Sequence, residues 1–112
     1  DLNKFEEALQ AIQSAIALNT KDANAHADLA ELLLEINEQQ KSEVAMMRAL
    51  KLAPSSVELC ERAAKLLQTS GNINESINFY RRAVDLREEM RRYAIEQSKH
   101  MSEIPQITLE TP

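Results

Sequence analysis

Residues 23–56 read ANAHADLAELLLEINEQQKSEVAMMRALKLAPSS, and the rest of the chain repeats this 34-residue unit. The second half of the unit recurs before and after it, at the position sets Ala8/Ser42/Ser76, Ile12/Met46/Tyr80, Ala15/Ala49/Ala83, Ile16/Leu50/Val84 and Leu18/Leu52/Leu86. The first half recurs once, at His26/Cys60, Leu29/Ala63, Ala30/Ala64 and Leu33/Leu67. A fixed period of this length is typical of a stacked helical repeat.

The composition agrees with an all-helical protein, because the 112 residues include one Gly, three Pro and many helix-favouring residues. One domain is expected at this length. The net charge of −5 disfavours nonspecific binding to nucleic acid. No apolar run is long enough to span a bilayer, so we expect no membrane insertion. Cys60 is the single cysteine, which favours a reducing compartment and predicts a cytoplasmic protein.

The spacing of the apolar residues predicts five helices, at about residues 3–18, 23–36, 40–52, 56–69 and 74–100. Asn37 and Gly71 are suited to the left-handed backbone that ends a helix. Pro54 stops the third helix, and Ser55 followed by Glu58 fits a capping box for the fourth.

The last helix has no stop signal where the repeat should end, because Glu88 occupies the position that Pro54 holds one unit earlier. A continuous helix over 74–100 is therefore predicted. One of its faces carries a heptad-like seam of Phe79, Ala83, Leu86, Met90, Tyr93, Gln97 and His100. Residues 102–112 are rich in β-branched residues and Pro, and predict an extended tail that is either disordered or laid into a groove.

The first helix carries an apolar stripe of Phe5, Leu9, Ile12 and Ile16, and it corresponds to the second helix of a repeat. The sequence thus predicts a helical repeat domain over 1–101, made of a half repeat at 3–20 and full repeats at 23–56 and 57–88. The chain begins at Asp1 without a first helix for the half repeat, so we expect that it was cut from a longer array or that this face pairs with another molecule.

At these positions the chain resembles the tetratricopeptide repeat family, whose 34-residue pattern has large and small residues at fixed places. At the positions of this pattern the first full unit has His26, Leu29, Ala30, Leu33, Ser42, Met46 and Pro54, and the second has Cys60, Ala63, Ala64, Leu67, Ser76, Tyr80 and Glu88. His26 and Cys60 depart from the Trp of the family pattern, and Glu88 departs from its Pro. The resemblance implies an all-α fold, a right-handed superhelical stack of antiparallel helix pairs. About two and a half units are present, followed by the extended C-terminal helix.

The resemblance also implies a concave groove, lined by the first helix of each unit, that binds a partner peptide or helix. The implied groove residues are Asn24, Ala27, Asp28, Glu31, Leu34, Glu35, Glu58, Glu61, Arg62, Lys65, Gln68 and Thr69. One subfamily grips the C-terminal carboxylate of chaperones with Lys, Asn and Arg side chains. Arg62 fits one clamp position, but the carboxylates of Asp28, Glu31 and Glu58 would repel such a ligand. A ligand with a basic or apolar element is favoured.

No pattern in the sequence indicates catalysis, a cofactor or a metal site. His26 falls at a core position of its repeat, so a packed, hydrogen-bonded histidine is favoured over a ligand or catalyst. Cys60 holds the matching position one unit later and is expected to be a small buried hydrophobe. One Cys and two His cannot complete a closed zinc site, and a single Gly cannot form a phosphate-binding loop.

The sequence therefore predicts a non-enzymatic interaction module or scaffold with a protein or peptide partner. One alternative is an accessory domain that presents substrate to a catalytic domain of a larger enzyme. The other is a self-association module, because short repeat arrays are marginally stable alone. For that alternative we predict a homodimer or an aggregation-prone monomer, formed through Phe5, Leu9, Ile12 and Ile16 or through Met90 and Tyr93.

Overall fold

The structure is a computed structural model, and it describes residues 2–103. Its five α-helices are α1 (Leu2–Leu18), α2 (Ala23–Glu35), α3 (Gln39–Leu52), α4 (Val57–Thr69) and α5 (Ile73–Glu103). No strand occurs within this part of the chain. The prediction of a tail from residue 102 is wrong at its start, because α5 includes residues 102 and 103. No Gly or Pro interrupts the sequence between Gly71 and Pro105, and the rest of the predicted tail lies outside the described residues.

The 34-residue period recurs in the caps that begin the helices. The side chain of Asp22 accepts a hydrogen bond from the backbone N–H of Ala25 at the start of α2. Ser56, one period later, does the same for the N–H of Leu59 at the start of α4. The N-cap of α4 is therefore Ser56, and the prediction of Ser55 is wrong by one residue. These side chains satisfy backbone donors that have no partner within the helix.

The turns that end α2 and α4 are also repeated. Asn37 and Gly71 both have a positive φ, of 64° and 87°. Immediately after them, the N–H of Glu38 donates to the Leu33 carbonyl and the N–H of Asn72 donates to the Leu67 carbonyl, at 2.9 and 2.8 Å. This arrangement satisfies the last carbonyls of each helix and reverses the chain direction. As a result α3 packs antiparallel to α2, and α5 packs antiparallel to α4.

Small and aliphatic side chains fill the space between the helices. The buried positions include Ala27, Ala30, Ala45, Met46, Ala49, Leu50, Leu59, Cys60, Ala63, Leu66 and Ala83. Two buried serines bind the helices of each pair together: Ser42 donates to the Ala30 carbonyl at 2.6 Å, and Ser76 donates to the Ala64 carbonyl at 2.8 Å. Ala27 is fully buried, so the prediction that its side chain lines a groove is wrong.

The two ends of the stack differ. At one end, α1 packs against α2 and against no other helix of the described chain, and its stripe of Phe5, Leu9, Ile12 and Ile16 is half-buried. At the other end, α5 has 31 residues where α4 has 13, so it continues roughly 25 Å past its partner helix. We call residues 88–103 the α5 extension. The seam is divided accordingly: Phe79, Ala83 and Leu86 are at least half-buried, whereas Met90, Tyr93, Gln97 and His100 are exposed.

Candidate functional site

A cleft of about 510 Å³ opens on the face of α4 that does not pack into the core. Its lining combines charged residues of α4 with apolar and basic residues of α4 and α5: Val57, Glu58, Glu61, Arg62, Lys65, Tyr80 and Arg87. We call it the α4 cleft. Four of the predicted groove residues, Glu58, Glu61, Arg62 and Lys65, lie together in it.

Arg62 joins this cleft to α2. Its Nη2 donates to Asp28 Oδ1 at 2.6 Å, and its Nε donates to Glu31 Oε1 at 2.7 Å. The hydrogen bond with Glu31, aided by Asp28, raises the pKa of Arg62 above its ordinary value although partial burial acts in the opposite direction. Two of the five N–H donors of the guanidinium are therefore used by carboxylates of the preceding repeat, whose charges weaken its attraction for a ligand carboxylate.

Two residues of the cleft come from α5, which the sequence analysis did not include in the groove. Arg87 donates a hydrogen bond to Glu61, and the hydroxyl of Tyr80 donates to Gln68 Oε1 at 3.2 Å. The signal was present in the sequence, because Tyr80 and Arg87 are two turns apart and so share a helix face. Glu61 and Gln68 have the same spacing on the antiparallel α4. The repeat pattern assigned the groove only to the first helix of each repeat, so the prediction did not include Tyr80 and Arg87 of α5.

These contacts cancel most of the charge in the cleft. Glu61 is paired with Arg87, and Arg62 is paired with residues of α2. Among the described residues, no ion pair involves Glu58 or Lys65. They are seven residues apart on α4, about 10 Å along the helix axis. The cleft thus presents one open carboxylate and one open ammonium group, together with the side chains of Val57 and Tyr80.

The remaining predicted groove residues lie outside the cleft. Asn24 and Glu35 are exposed on α2, and Asp28 and Glu31 reach the cleft only through Arg62. Because Asp28, Glu31 and Glu35 are spaced by one helical turn each, they make this side of α2 acidic.

The residues weighed for chemistry in the sequence are part of the core. His26 is buried, and its Nε2 lies 3.0 Å from the Thr20 carbonyl. A carbonyl can only accept, so Nε2 carries the proton. Cys60 is fully buried, and burial raises the pKa of its thiol despite the opposing charge of Arg82. Both results confirm the packing interpretation of these two residues.

Within residues 2–103, no group of three or more His, Cys, Asp or Glu side chains is placed to hold a metal ion. In the same part of the chain, no helix combines the length and the apolar character that crossing a membrane requires.

The sequence profile of the tetratricopeptide repeat matches residues 23–56 and 57–90, which together are more than half of the chain. The chain belongs to the tetratricopeptide repeat family. The first matched unit has the predicted bounds, and the second ends at residue 90 rather than at 88. A comparison with curated proteins finds no match.

Solved structures share the fold at low sequence identity. A crystal structure of MamA aligns with a TM-score of 0.69 and 23% identity over 82% of this chain and 54% of the MamA chain. MamA from Desulfovibrio magneticus RS-1 gives a TM-score of 0.69 at 16% identity over 79% and 50% of the two chains. This chain therefore spans about half the length of these MamA chains.

A shorter neighbour is the second tetratricopeptide repeat domain of Spaghetti (RPAP3), solved with the HSP90 peptide SRMEEVD. It aligns with a TM-score of 0.63 and 23% identity over 74% of this chain and 77% of that chain. These similarities establish the all-α repeat stack.

Proposed function

We propose that this chain is a protein-interaction module that binds a partner peptide or helix at the α4 cleft, through a basic group and an adjacent apolar side chain of the partner. The single observation that carries the proposal is the pairing of Arg62 with Asp28 and Glu31, which weakens the strongest anion-binding group of the cleft. The family is generally a non-enzymatic interaction fold, which supports the assignment to a binding role.

The charge balance of the wider groove supports a basic partner element. Its predicted and observed members include five carboxylates, Asp28, Glu31, Glu35, Glu58 and Glu61, but only three cations, Arg62, Lys65 and Arg87. An acidic peptide such as the one bound to the RPAP3 domain would meet carboxylates here. A Lys or Arg placed near Glu58 would gain a partner, while Val57 and Tyr80 offer contact area to an apolar side chain.

The test is selection from a random peptide library displayed on phage, followed by affinity measurement of the enriched peptides. We expect enrichment of peptides with Lys or Arg close to an apolar residue. Their affinity should fall about tenfold for the Glu58→Lys variant of the cleft, because the change turns attraction into repulsion. Glu58 has no ion pair in the described chain, so the variant should fold normally.

A matched control is Glu89→Lys, an exposed change on the α5 extension. It should leave peptide affinity unchanged. Failure to enrich any peptide would refute the proposal, and so would peptides that bind the cleft variant as tightly as the unchanged chain.

Self-association is a second candidate function, favoured by the α5 extension. Met90 and Tyr93 are 63% and 67% exposed there, and Ile95 and Met101 are also exposed. In the stripe of α1 the side chains are half-buried, so the extension is the stronger of the two predicted dimer surfaces. Light scattering at high protein concentration tests this candidate function. A dimer mass that falls to the mass of one chain in the Met90→Glu/Tyr93→Glu variant supports self-association, and a one-chain mass for the unchanged protein refutes it.

The role of an accessory domain in a larger enzyme stays a prediction.

A further inference from the structure

A second groove lies between the two later helices of the repeats, α3 and α5. No Cα atoms of these two helices lie within 8 Å of each other in the described chain, and Leu67 of α4 also lines the gap between them. The start of α3 is joined to the loop before α5, because Gln39 Nε2 donates to the Ser70 carbonyl at 3.1 Å. The loop after α3 is joined to α5, because Arg82 Nη2 donates to the Pro54 carbonyl at 2.9 Å. The two helices therefore run side by side in the same direction.

Two adjoining cavities make up this α3–α5 groove. The larger, of about 700 Å³, is lined by Gln40, Glu43, Val44, Met47, Arg48, Lys51, Leu67 and Glu75. The smaller, of about 360 Å³, shares Met47 and Glu75 and adds Asn78, Phe79 and Arg82. Neither cavity shares a residue with the α4 cleft. Val44 lines the larger cavity and also borders a cavity on the α2 side of α3. It is 55% exposed, which is unusual for a β-branched aliphatic residue on a helix whose other apolar residues mostly face the core.

Charge is ordered along the groove. Glu43 and Glu75 lie toward the end where the two helices begin, and Arg48, Lys51 and Arg82 lie toward the end where α3 stops. No ion pair of the described residues involves any of these five side chains. The apolar residues lie between the two ends. The groove is therefore acidic at one end, apolar in the middle and basic at the other end.

Glu43 gives an independent indication that the groove favours a ligand with a hydrogen-bond donor. Its Oε1 is shielded from solvent and has no hydrogen-bond donor within the described chain. A buried carboxylate oxygen without a donor is unfavourable, and a donor supplied from outside would relieve that cost. A Lys or Arg side chain of a ligand is the simplest such donor, and it would reach Oε1 once the Glu43 side chain rotates toward the groove.

We propose that the α3–α5 groove docks an amphipathic helix of a partner protein that carries a basic residue, two apolar residues and an acidic residue along one face. The distance from Glu43 to Lys51 along α3 is about 12 Å, and residues seven apart on a docked helix are about 10 Å apart. The fitting pattern is therefore Lys or Arg at position i, apolar residues at i+3 and i+4, and Glu or Asp at i+7. This docking is separate from the binding proposed for the α4 cleft.

The experiment uses three fluorescein-labelled helical peptides that share the two central Leu residues and differ only at positions i and i+7. One has Lys and Glu, one has Glu at both positions and one has Lys at both. Fluorescence anisotropy at low salt should show that the mixed peptide binds about tenfold tighter than either control, because each control places a like charge at one end of the groove.

Three variants distinguish this docking from nonspecific attraction and from the α4 cleft. Glu43→Lys/Glu75→Lys makes both ends basic, so it should prefer the peptide with Glu at both positions. Val44→Asp changes only an exposed side chain and should abolish binding, whereas Glu58→Lys in the α4 cleft should not affect it.

Equal affinity for the three peptides overturns the proposal, as does a failure of all three to bind. Loss of binding in Glu58→Lys, with binding retained in Val44→Asp, also overturns it. A change of preference in the double variant cannot arise from unfolding, and if that variant does not fold, Val44→Asp decides the question alone.

Discussion

Arg62 offers the sharpest test of how the repeats are joined. Its guanidinium connects α4 to Asp28 and Glu31 of α2, which belong to the preceding unit. The perturbation is Arg62→Met, which keeps an unbranched side chain of good helix propensity and removes the charge and the donors. We expect the free energy of unfolding to fall by about 1–2 kcal/mol at low salt.

This magnitude follows from the exposure of the three side chains. Arg62 is 20% exposed, and its partners Asp28 and Glu31 are 53% and 49% exposed. An exposed ion pair contributes about 0.2–1 kcal/mol, and the short, partly shielded geometry of these two pairs favours the upper half of that range. Removing Arg62 leaves two carboxylates that water can solvate, so the larger loss expected for a buried unpaired charge does not apply.

The assay is a double-mutant cycle by urea unfolding, with Arg62→Met, Glu31→Gln and the pair together. We expect a coupling energy of about 0.5–1 kcal/mol at low salt, and less than half of that at about 1 M salt, where the screening length is about 3 Å. Arg91→Met is the matched control, because Arg91 is exposed on the α5 extension and has no ion pair in the described chain. It should change stability little at either salt concentration. A coupling below about 0.2 kcal/mol, or one that does not respond to salt, would refute the electrostatic account.

Three further predictions concern the core. Leu50→Ala should cost about 2–5 kcal/mol and Leu52→Ala less than about 1 kcal/mol, because Leu50 is 6% exposed and Leu52, on the same helix, is 40% exposed. Similar losses in urea unfolding would show that the register of α3 is wrong. Cys60 should react with an aromatic disulfide reagent at least about 100-fold more slowly in the native chain than in urea, because it is buried and its pKa is raised. Raising the pH from 7 to 9 should increase the reaction rate of Cys60 far more in the unfolded chain than in the native chain. Equal rates for the native and unfolded chains would contradict this prediction. Ser76→Ala should lower stability by about 1 kcal/mol in thermal or urea unfolding, since it removes the bond to the Ala64 carbonyl, and no measurable change would show that the bond contributes nothing.

The sequence determined the architecture because local and periodic signals agree in this chain. A helix face, a turn residue and a cap each depend on a few neighbouring residues, and the period repeats them together. Asn37 and Gly71 illustrate this, since both adopt the left-handed backbone that their residue types favour. The buried positions of His26 and Cys60 followed from the same register.

The sequence also predicted the α5 extension. The second full repeat has Glu88 at the position where the first has Pro54, so nothing stops the helix there. The sequence could not decide whether the extension packs back or projects. That depends on whether another helix lies beside it, and in the structure α5 packs only against α4 within the described chain. Met90 and Tyr93 therefore remain exposed.

The tertiary structure alone decided which charges of the candidate site are available. Arg62 is separated from Glu31 and Asp28 by 31 and 34 residues, and Arg87 from Glu61 by 26. No local rule pairs side chains at such separations, because their distance depends on how neighbouring repeats are rotated and on the rotamer of each long side chain. The repeat register predicted which residues lie in the groove. The packing of α2, α4 and α5 decided that Arg62 and Glu61 form ion pairs, whereas Glu58 and Lys65 do not.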